Sequence, residues 1–135
     1  MSDEFELSPV QMLEAAPYFL VPDVHATAEH YRDKLGFEIG RFYGDPPTFT
    51  IVSRDGVAFC LKEALAPTRQ AGAVPAEGHA DAYVWVTDLF ALADELRGRG
   101  ADLETDPLDQ SIYDGRDMRV RDLDGRVIVF GQLLD

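Results

Sequence analysis

The chain repeats itself once, and this internal repeat constrains its fold more than any other feature. Val21-Pro22-Asp23-Val24 and Val86-Thr87-Asp88-Leu89 lie 65 residues apart, and apolar residues follow both motifs at matching positions. A second pair of anchors, Asp55-Gly56 and Asp124-Gly125, is 69 residues apart, so the second copy is about four residues longer between its anchors. A repeat of this length indicates two copies of one supersecondary unit.

The first copy has the pattern of a strand, a helix and three further strands. The apolar run Pro17–Val21 indicates a strand. Asp23 suits a helix N-cap and Gly36 a helix end, and the apolar residues between them recur on one helical face. The remaining strands are expected at Phe37–Tyr43, Thr48–Ser53 and Val57–Lys62.

The second copy follows the same plan. Asp88 is predicted to cap a helix that Gly98 and Gly100 close. Strands are expected at Ala80–Val86, Ala101–Asp106, a ragged stretch from about Ile112 to Arg121, and Arg126–Leu133. A short helix is also expected near Pro9–Ala15, because Ser8, Pro9 and Gln11 form a helix-start pattern.

These elements predict a single α+β domain over residues 1–135, built from two βαβββ modules. Module one covers about 16–63 and module two about 79–133. The segment 64–78 between them is rich in Ala, Pro and Gly without periodicity, so it is predicted to be a linker.

Charge and composition limit the classes of partner. The chain has 25 acidic and 12 basic residues, a net charge of −13. Nucleic acid and anionic membranes are therefore not expected as partners, whereas a cationic small molecule would be attracted. No apolar run reaches membrane-spanning length and no signal peptide is visible, so a cytoplasmic location is expected. A single cysteine, Cys60, excludes an internal disulfide.

Several motifs together resemble one known superfamily. They are Val21-Pro22-Asp23-Val24 leading to Tyr31–Phe37, Tyr83–Leu89, and Arg121–Arg126. These motifs are similar to the signatures of the vicinal oxygen chelate superfamily, which contains glyoxalase I, extradiol dioxygenases and bleomycin-resistance proteins. The resemblance covers roughly residues 16–133. It implies curved mixed sheets around a cleft and a homodimer whose sites are built from both chains.

The resemblance also implies where a metal would be held, by one residue from each of four equivalent strands. Those positions are Ala16, Cys60, Asp81 and Val129. Alanine and valine cannot bind a divalent cation, so no metal and no cofactor are predicted. His79 leaves an alternative open: it lies two residues before Asp81 and shares its strand face, so a register shifted by one pair makes His79 a ligand. The chain would then be a metal-dependent lyase, isomerase or dioxygenase.

The predicted function is metal-free small-molecule binding of the bleomycin-resistance type. The acidity of the chain and its tryptophan-bearing strand, which contains Trp85, also resemble proteins of that type. A protein whose fold serves only self-association is a third possibility. Strand alternation places Tyr18, Tyr83 and Trp85 on the cleft face. The residues predicted to face the helices are Phe19, Val21, Phe59, Leu61, Val84, Val86, Ile128 and Phe130. Aromatic cleft walls suit a planar or cationic ligand, although aromatic residues also pack dimer interfaces. Tyr113–Asp117 corresponds to a segment that lies beside the cleft in the superfamily, where Arg116 could clamp a carboxylate or phosphate of a ligand or could instead pair with Asp114 or Asp117. An acidic run nearby is predicted to be either solvated or an acidic border for a cation; it consists of Asp102, Glu104, Asp106 and Asp109. The predicted ligand-binding residues are Tyr18, Leu20, Cys60, Asp81, Tyr83, Trp85, Tyr113, Arg116 and Val129.

Overall fold

Two mixed β-sheets, each covered by one helix, form the structure. The computed structural model describes residues 9–64, 78–110 and 114–134. Module one contains β1 (Tyr18–Val21), α1 (Val24–Leu35), β2 (Glu38–Ile39), β3 (Tyr43–Gly44), β4 (Pro47–Arg54) and β5 (Val57–Glu63). Module two contains β6 (Ala82–Trp85), α2 (Leu89–Arg99), β7 (Asp102–Leu103), β8 (Leu108–Gln110), β9 (Gly115–Arg121) and β10 (Val127–Leu133).

The two sheets have the same topology, which confirms the repeat and the α+β fold class. Their strand orders are β1-β5-β4-β2 and β6-β10-β9-β7, with β3 and β8 added beside β4 and β9. In each sheet the strand before the helix pairs in parallel with the last strand. Tyr18 lies opposite Cys60 in the first sheet, and Tyr83 lies opposite Val129 in the second. These pairs are related by the same offsets that the sequence motifs show.

Both helices begin and end where the sequence predicts. The Asp23 carboxylate accepts from Ala26 N at 3.1 Å, and the Asp88 carboxylate accepts from Ala91 N at 3.0 Å. Gly36 ends α1 in the left-handed conformation, at φ 76°. Gly100 ends α2 in the same way, and the second predicted closing residue, Gly98, instead lies inside the helix.

A second cap, absent from the sequence prediction, reaches each helix from the last strand of its module. Glu63 Oε1 accepts from Val24 N at 3.0 Å, and Gln132 Oε1 accepts from Leu89 N at 2.8 Å. Glu63 and Gln132 are 69 residues apart, so the repeat preserves this contact even though the side chain differs in charge. Each cap satisfies one of the amides that the first turn of a helix leaves unpaired.

The core lies between the helices and the helix-facing side of the sheets, and it joins both modules in one cluster. The strand alternation predicted from the sequence is confirmed on this side. Val86 is half-buried, and the other residues predicted to face the helices are buried: Phe19, Val21, Phe59, Leu61, Val84, Ile128 and Phe130.

Contacts across the module boundary are polar as well as apolar. Tyr31 Oη on α1 donates to Asp122 Oδ2 at 2.9 Å, and Thr27 Oγ1 donates to Asp124 Oδ2 at 2.6 Å. Burial raises the pKa of Asp122, partly opposed by hydrogen bonds from Arg126 N and Tyr31. The Asp122 carboxyl therefore carries its charge at a desolvation cost that its hydrogen bonds offset in part.

Three predicted elements differ in the structure. The helix expected at Pro9–Ala15 is wrong, since that segment is irregular and exposed; so short a helix needs packing partners to form. The strand expected at Phe37–Tyr43 is divided into β2 and β3, with a register shift at Tyr43/Gly44. The strand expected at Ala101–Asp106 is limited to Asp102–Leu103, because the amides of residues 104 and 105 both donate to Arg119 O and end the ladder.

Candidate functional site

Aromatic side chains lie exposed on the sheet faces opposite the helices, which we call the open face. Tyr18 is 60% exposed, Tyr83 42% and Trp85 55%. Exposed aromatic rings on a regular sheet face are unusual unless something binds them, because each ring leaves a large apolar area in water. The strand alternation predicted from the sequence therefore places the right aromatic residues on this face.

In module one the open face is mostly apolar. The Tyr18 ring lies 6.1 Å from the Phe49 ring, and the Tyr43 ring lies 6.0 Å from the Phe49 ring. Cys60 and Leu20 lie half-buried beside this row. The sequence prediction missed Phe49 and Tyr43, although the alternation in Thr48–Ser53 carries the signal for Phe49. A row of three aromatic rings thus extends the site beyond the predicted residues.

In module two a different arrangement holds the aromatic residues. The Tyr83 ring lies directly over Gly131 of β10, where a Cβ atom would be only 2.8 Å from Tyr83 Cε1. Trp85 lies beside it, with 4.8 Å between the ring centroids. Tyr83 Oη donates to Asp117 Oδ2 at 3.2 Å, which fixes the outer end of the ring. The absence of a side chain at Gly131 is what leaves room for the Tyr83 ring.

A polar cluster borders the aromatic pair of module two. Asp81 Oδ1 lies 3.2 Å from His79 Nε2, and Asp81 Oδ2 accepts from Val127 N at 3.0 Å. Arg119 Nη2 donates to His79 O at 2.6 Å, while Arg119 Nε donates to Glu104 Oε1 at 2.8 Å. The Arg119 guanidinium lowers the pKa of Glu104. Both oxygens of Asp81 are therefore already engaged.

The residues at the four metal-ligand positions do not fit a metal. Ala16 and Val129 offer no donor atom, and Val129 is only 4% exposed. Cys60 and Asp81 remain, two donors where protein metal sites normally use three or four. In the part of the chain that the structure describes, no group of three or more His, Cys, Asp or Glu side chains could hold a metal ion.

The structure describes residues 114–117 of the segment predicted to border the cleft. Arg116 pairs with Asp109 at 3.2 Å rather than with Asp114 or Asp117, and its guanidinium lies 4.7 Å from the Phe90 ring centroid. The Arg116 guanidinium thus interacts with β8 of its own sheet and with α2. Tyr113 lies outside the described residues.

The predicted acidic run does not form a continuous acidic surface. Glu104 is bound by Arg119 and Arg121, at 2.8 and 2.7 Å. Asp106 pairs with Arg97 of α2 at 2.5 Å. Together with the Arg116–Asp109 pair, arginines on neighbouring elements therefore neutralise three of its carboxylates.

Solved structures of similar fold were found for nearly the whole chain. A bleomycin-binding protein from bleomycin-producing Streptomyces verticillus, complexed with copper(II)-bleomycin, is 25% identical with a TM-score of 0.68, covering 93% of this chain and 99% of that one. A glyoxalase-related enzyme from Clostridium phytofermentans is 14% identical with a TM-score of 0.73, covering 93% and 98%. TioX from Micromonospora sp. ML1 is 18% identical with a TM-score of 0.67, covering 87% and 95%.

Other comparisons add no further assignment. No family model and no curated protein matches the chain. Among the described residues, no helix is long and apolar enough to cross a membrane.

Proposed function

Because the chain has the fold of the glyoxalase, bleomycin-resistance protein and dioxygenase family, we propose that it binds an aromatic or cationic small molecule without a metal. In this proposal it acts as a homodimer in the cytoplasm, and the ligand lies on the open face. The similar protein from Streptomyces verticillus, which was crystallised with copper(II)-bleomycin, supports a ligand of this kind.

The observation that carries the proposal is the exposure of Tyr18, Tyr83 and Trp85 on the open face. Aromatic faces stack with planar groups and attract cations through their electron-rich surfaces. The net charge of −13 favours the approach of a cation from a distance. Recognition in this arrangement needs no metal, which agrees with the missing donors at Ala16 and Val129.

The proposed homodimer follows from the same exposure. One chain leaves its aromatic rows open on one side, and a second copy related by a two-fold axis would supply the opposite wall. Light scattering at micromolar concentration should then report about 30 kDa, twice the 15.0 kDa of the chain. A species that stays at the monomer mass would contradict this part of the proposal.

Binding can be followed directly, because Trp85 is the only tryptophan. Titration with bleomycin-like glycopeptides, planar cationic dyes and small keto acids should change Trp85 emission along a saturable curve for at least one class. Trp85→Ala, measured by calorimetry, should weaken that ligand by about 1–3 kcal/mol. Phe90→Ala is the matched control, since Phe90 is similarly exposed, at 53%, but lies on α2.

Two other outcomes would redirect the assignment. If Trp85→Ala weakens dimerisation but leaves ligand affinity on the intact dimer unchanged, the aromatic residues serve the interface. If purified protein contains about one metal per chain and His79→Ala removes it, the metal-dependent enzyme replaces the binding protein. Turnover of any tested compound without added metal would also refute pure binding.

A further inference from the structure

A cavity of about 560 Å³ lies mainly on the helix side of the sheets, and Trp85 of the open face also contributes to its lining. It lies where the end of α1, the β4–β5 turn and the start of α2 meet. Its volume is in the range of sites that hold small organic ligands, about 300–1,000 Å³. The apolar part of its lining comes from Leu35, Phe37, Val57, Val84, Leu92 and Phe130.

The repeat shows that this cavity is not a necessary consequence of the fold. Val57 of module one corresponds in the repeat to Arg126 of module two, which lies 69 residues later. The surroundings of Arg126 therefore show what fills the equivalent place on the other side of the module boundary. Its guanidinium lies 5.0 Å from the Phe19 ring centroid, and Nη2 donates to Leu20 O. The side chain of Arg126 is 12% exposed, so it is packed into that place. A valine at position 57 leaves the corresponding space open.

A second substitution between the copies makes the open space apolar. Thr27 on α1 donates to Asp124 Oδ2 at 2.6 Å and closes its side of the boundary. In the repeat, Leu92 on α2 corresponds to Thr27, and Asp55 corresponds to Asp124. Because leucine has no hydroxyl group, Leu92 cannot donate a hydrogen bond to Asp55. Asp55 is exposed, and neither it nor Asp88 forms an ion pair with any described residue.

The charges at the mouth of the cavity are mostly negative. Arg54 and three carboxylates, those of Asp55, Asp88 and Glu95, are among its lining residues. The Arg54 guanidinium is fully engaged: it donates to both oxygens of Glu95 at 2.9 and 2.7 Å and to Leu35 O at 2.9 Å. The remaining charges are therefore those of the Asp55 and Asp88 carboxylates, which would attract a cation.

We propose that this cavity is a second small-molecule site, which takes an apolar molecule carrying one ammonium group. The apolar body lies against Val57, Leu92 and Phe130. The ammonium group lies at the mouth, near Asp55 and Asp88. The cavity shares Trp85 with the open face, whereas Tyr18 does not line it, so a change at Tyr18 distinguishes a molecule bound on the open face from one bound here.

Three probes of equal length but different charge test the proposal: octylammonium, octanol and octanoate at neutral pH. Calorimetry should show octylammonium binding most tightly and octanoate most weakly. Val57→Phe fills the cavity and should weaken octylammonium about tenfold or more. Tyr18→Ala, which alters only the open face, should leave it unchanged.

A charge variant keeps the test decisive if Val57→Phe does not fold. Asn caps helices as well as Asp does and tolerates the positive φ of 54° at position 55, so Asp55→Asn with Asp88→Asn should preserve the structure. This double variant should weaken octylammonium about tenfold and leave octanol unchanged. Asp23→Asn with Glu29→Gln removes two carboxylates on α1 and controls for net charge.

The results that would overturn the proposal are equally definite. No octylammonium binding, equal binding of all three probes, or equal losses in the charge variant and its control would each refute it. Weakened binding in Tyr18→Ala with none in Val57→Phe would move the probe to the open face and refute the second site.

Discussion

Gly131→Ala should disrupt the aromatic pair of module two, because the Tyr83 ring occupies the space of the missing side chain. A Cβ at Gly131 would collide with the Tyr83 hydroxyl and would lie 2.8 Å from Cε1 and 2.9 Å from Cζ. The neighbouring β10 backbone is held by pairing on both sides, so the ring must move instead. Moving it breaks the Tyr83–Asp117 hydrogen bond and the contact with Trp85.

The size of the effect follows from these lost contacts. A hydrogen bond contributes about 0.5–1.5 kcal/mol and an aromatic pair a similar amount, so the loss is roughly 1–3 kcal/mol. Replacing glycine by alanine restricts the unfolded chain and returns about 0.4–1 kcal/mol. The expected net decrease in the free energy of unfolding for Gly131→Ala is therefore about 1.3 kcal/mol, between about 0 and 2.6 kcal/mol.

Urea unfolding followed by Trp85 emission and circular dichroism measures this change. A double-mutant cycle isolates the cause: in a Tyr83→Ala background, Gly131→Ala should cost nothing or stabilise slightly. The native emission spectrum of Trp85 should also shift in Gly131→Ala, since its neighbouring ring has moved. Gly56→Ala is the matched control, because a Cβ there meets nothing within 4 Å.

Two results would refute this reasoning. If Gly131→Ala loses the same free energy with and without Tyr83, the cost comes from the strand and not from the ring. If the free energy of unfolding and the Trp85 emission both stay as in the parent, the Tyr83 ring does not contact Gly131, and the aromatic pair of Tyr83 and Trp85 is arranged differently.

Three further predictions concern the frame around the site. Gln132→Ala removes the acceptor for Leu89 N and should cost about 0.5–2 kcal/mol in urea unfolding. Gly98→Ala, inside α2 with no atom within 4 Å of the new Cβ, should raise the melting temperature and stabilise by about 0.5–1 kcal/mol. Burial raises the pKa of Asp122 in the folded protein above its value in the unfolded chain. The stability that this shift contributes is therefore fully present at a pH below the unfolded-state pKa. It is lost as the pH rises through the folded-state pKa. Stability against pH should therefore decline less over that interval in Asp122→Asn than in the parent, and an equal decline would refute this assignment.

The sequence predicts those parts of the fold that depend on local chemistry and on periodicity. Asp23 and Gly36 bound α1 because capping and left-handed conformations have strong residue preferences. The faces of β1, β5 and β6 are correct because a buried side alternates with a more exposed one, whereas Val127 to Gly131 of β10 are buried on both faces. The failures share a cause: Pro9–Ala15 has a helix-start pattern but no surface to pack on, and β7 ends where two amides compete for Arg119 O. Such tertiary effects leave no local signal.

The site was harder to predict, because its character depends on where the two copies differ. The repeat superimposes Leu20 on Trp85, and Lys62 on Gly131, so only module two forms an aromatic pair lying on a glycine. It superimposes Val57 on Arg126, so the packed Arg126 side chain occupies in one place the space that Val57 leaves to the cavity in the other. Each difference is visible in the sequence as a substitution, but its consequence depends on which side chain faces it across the fold. The repeat thus gives both modules the same fold. The residues that differ at equivalent positions determine where a ligand can enter.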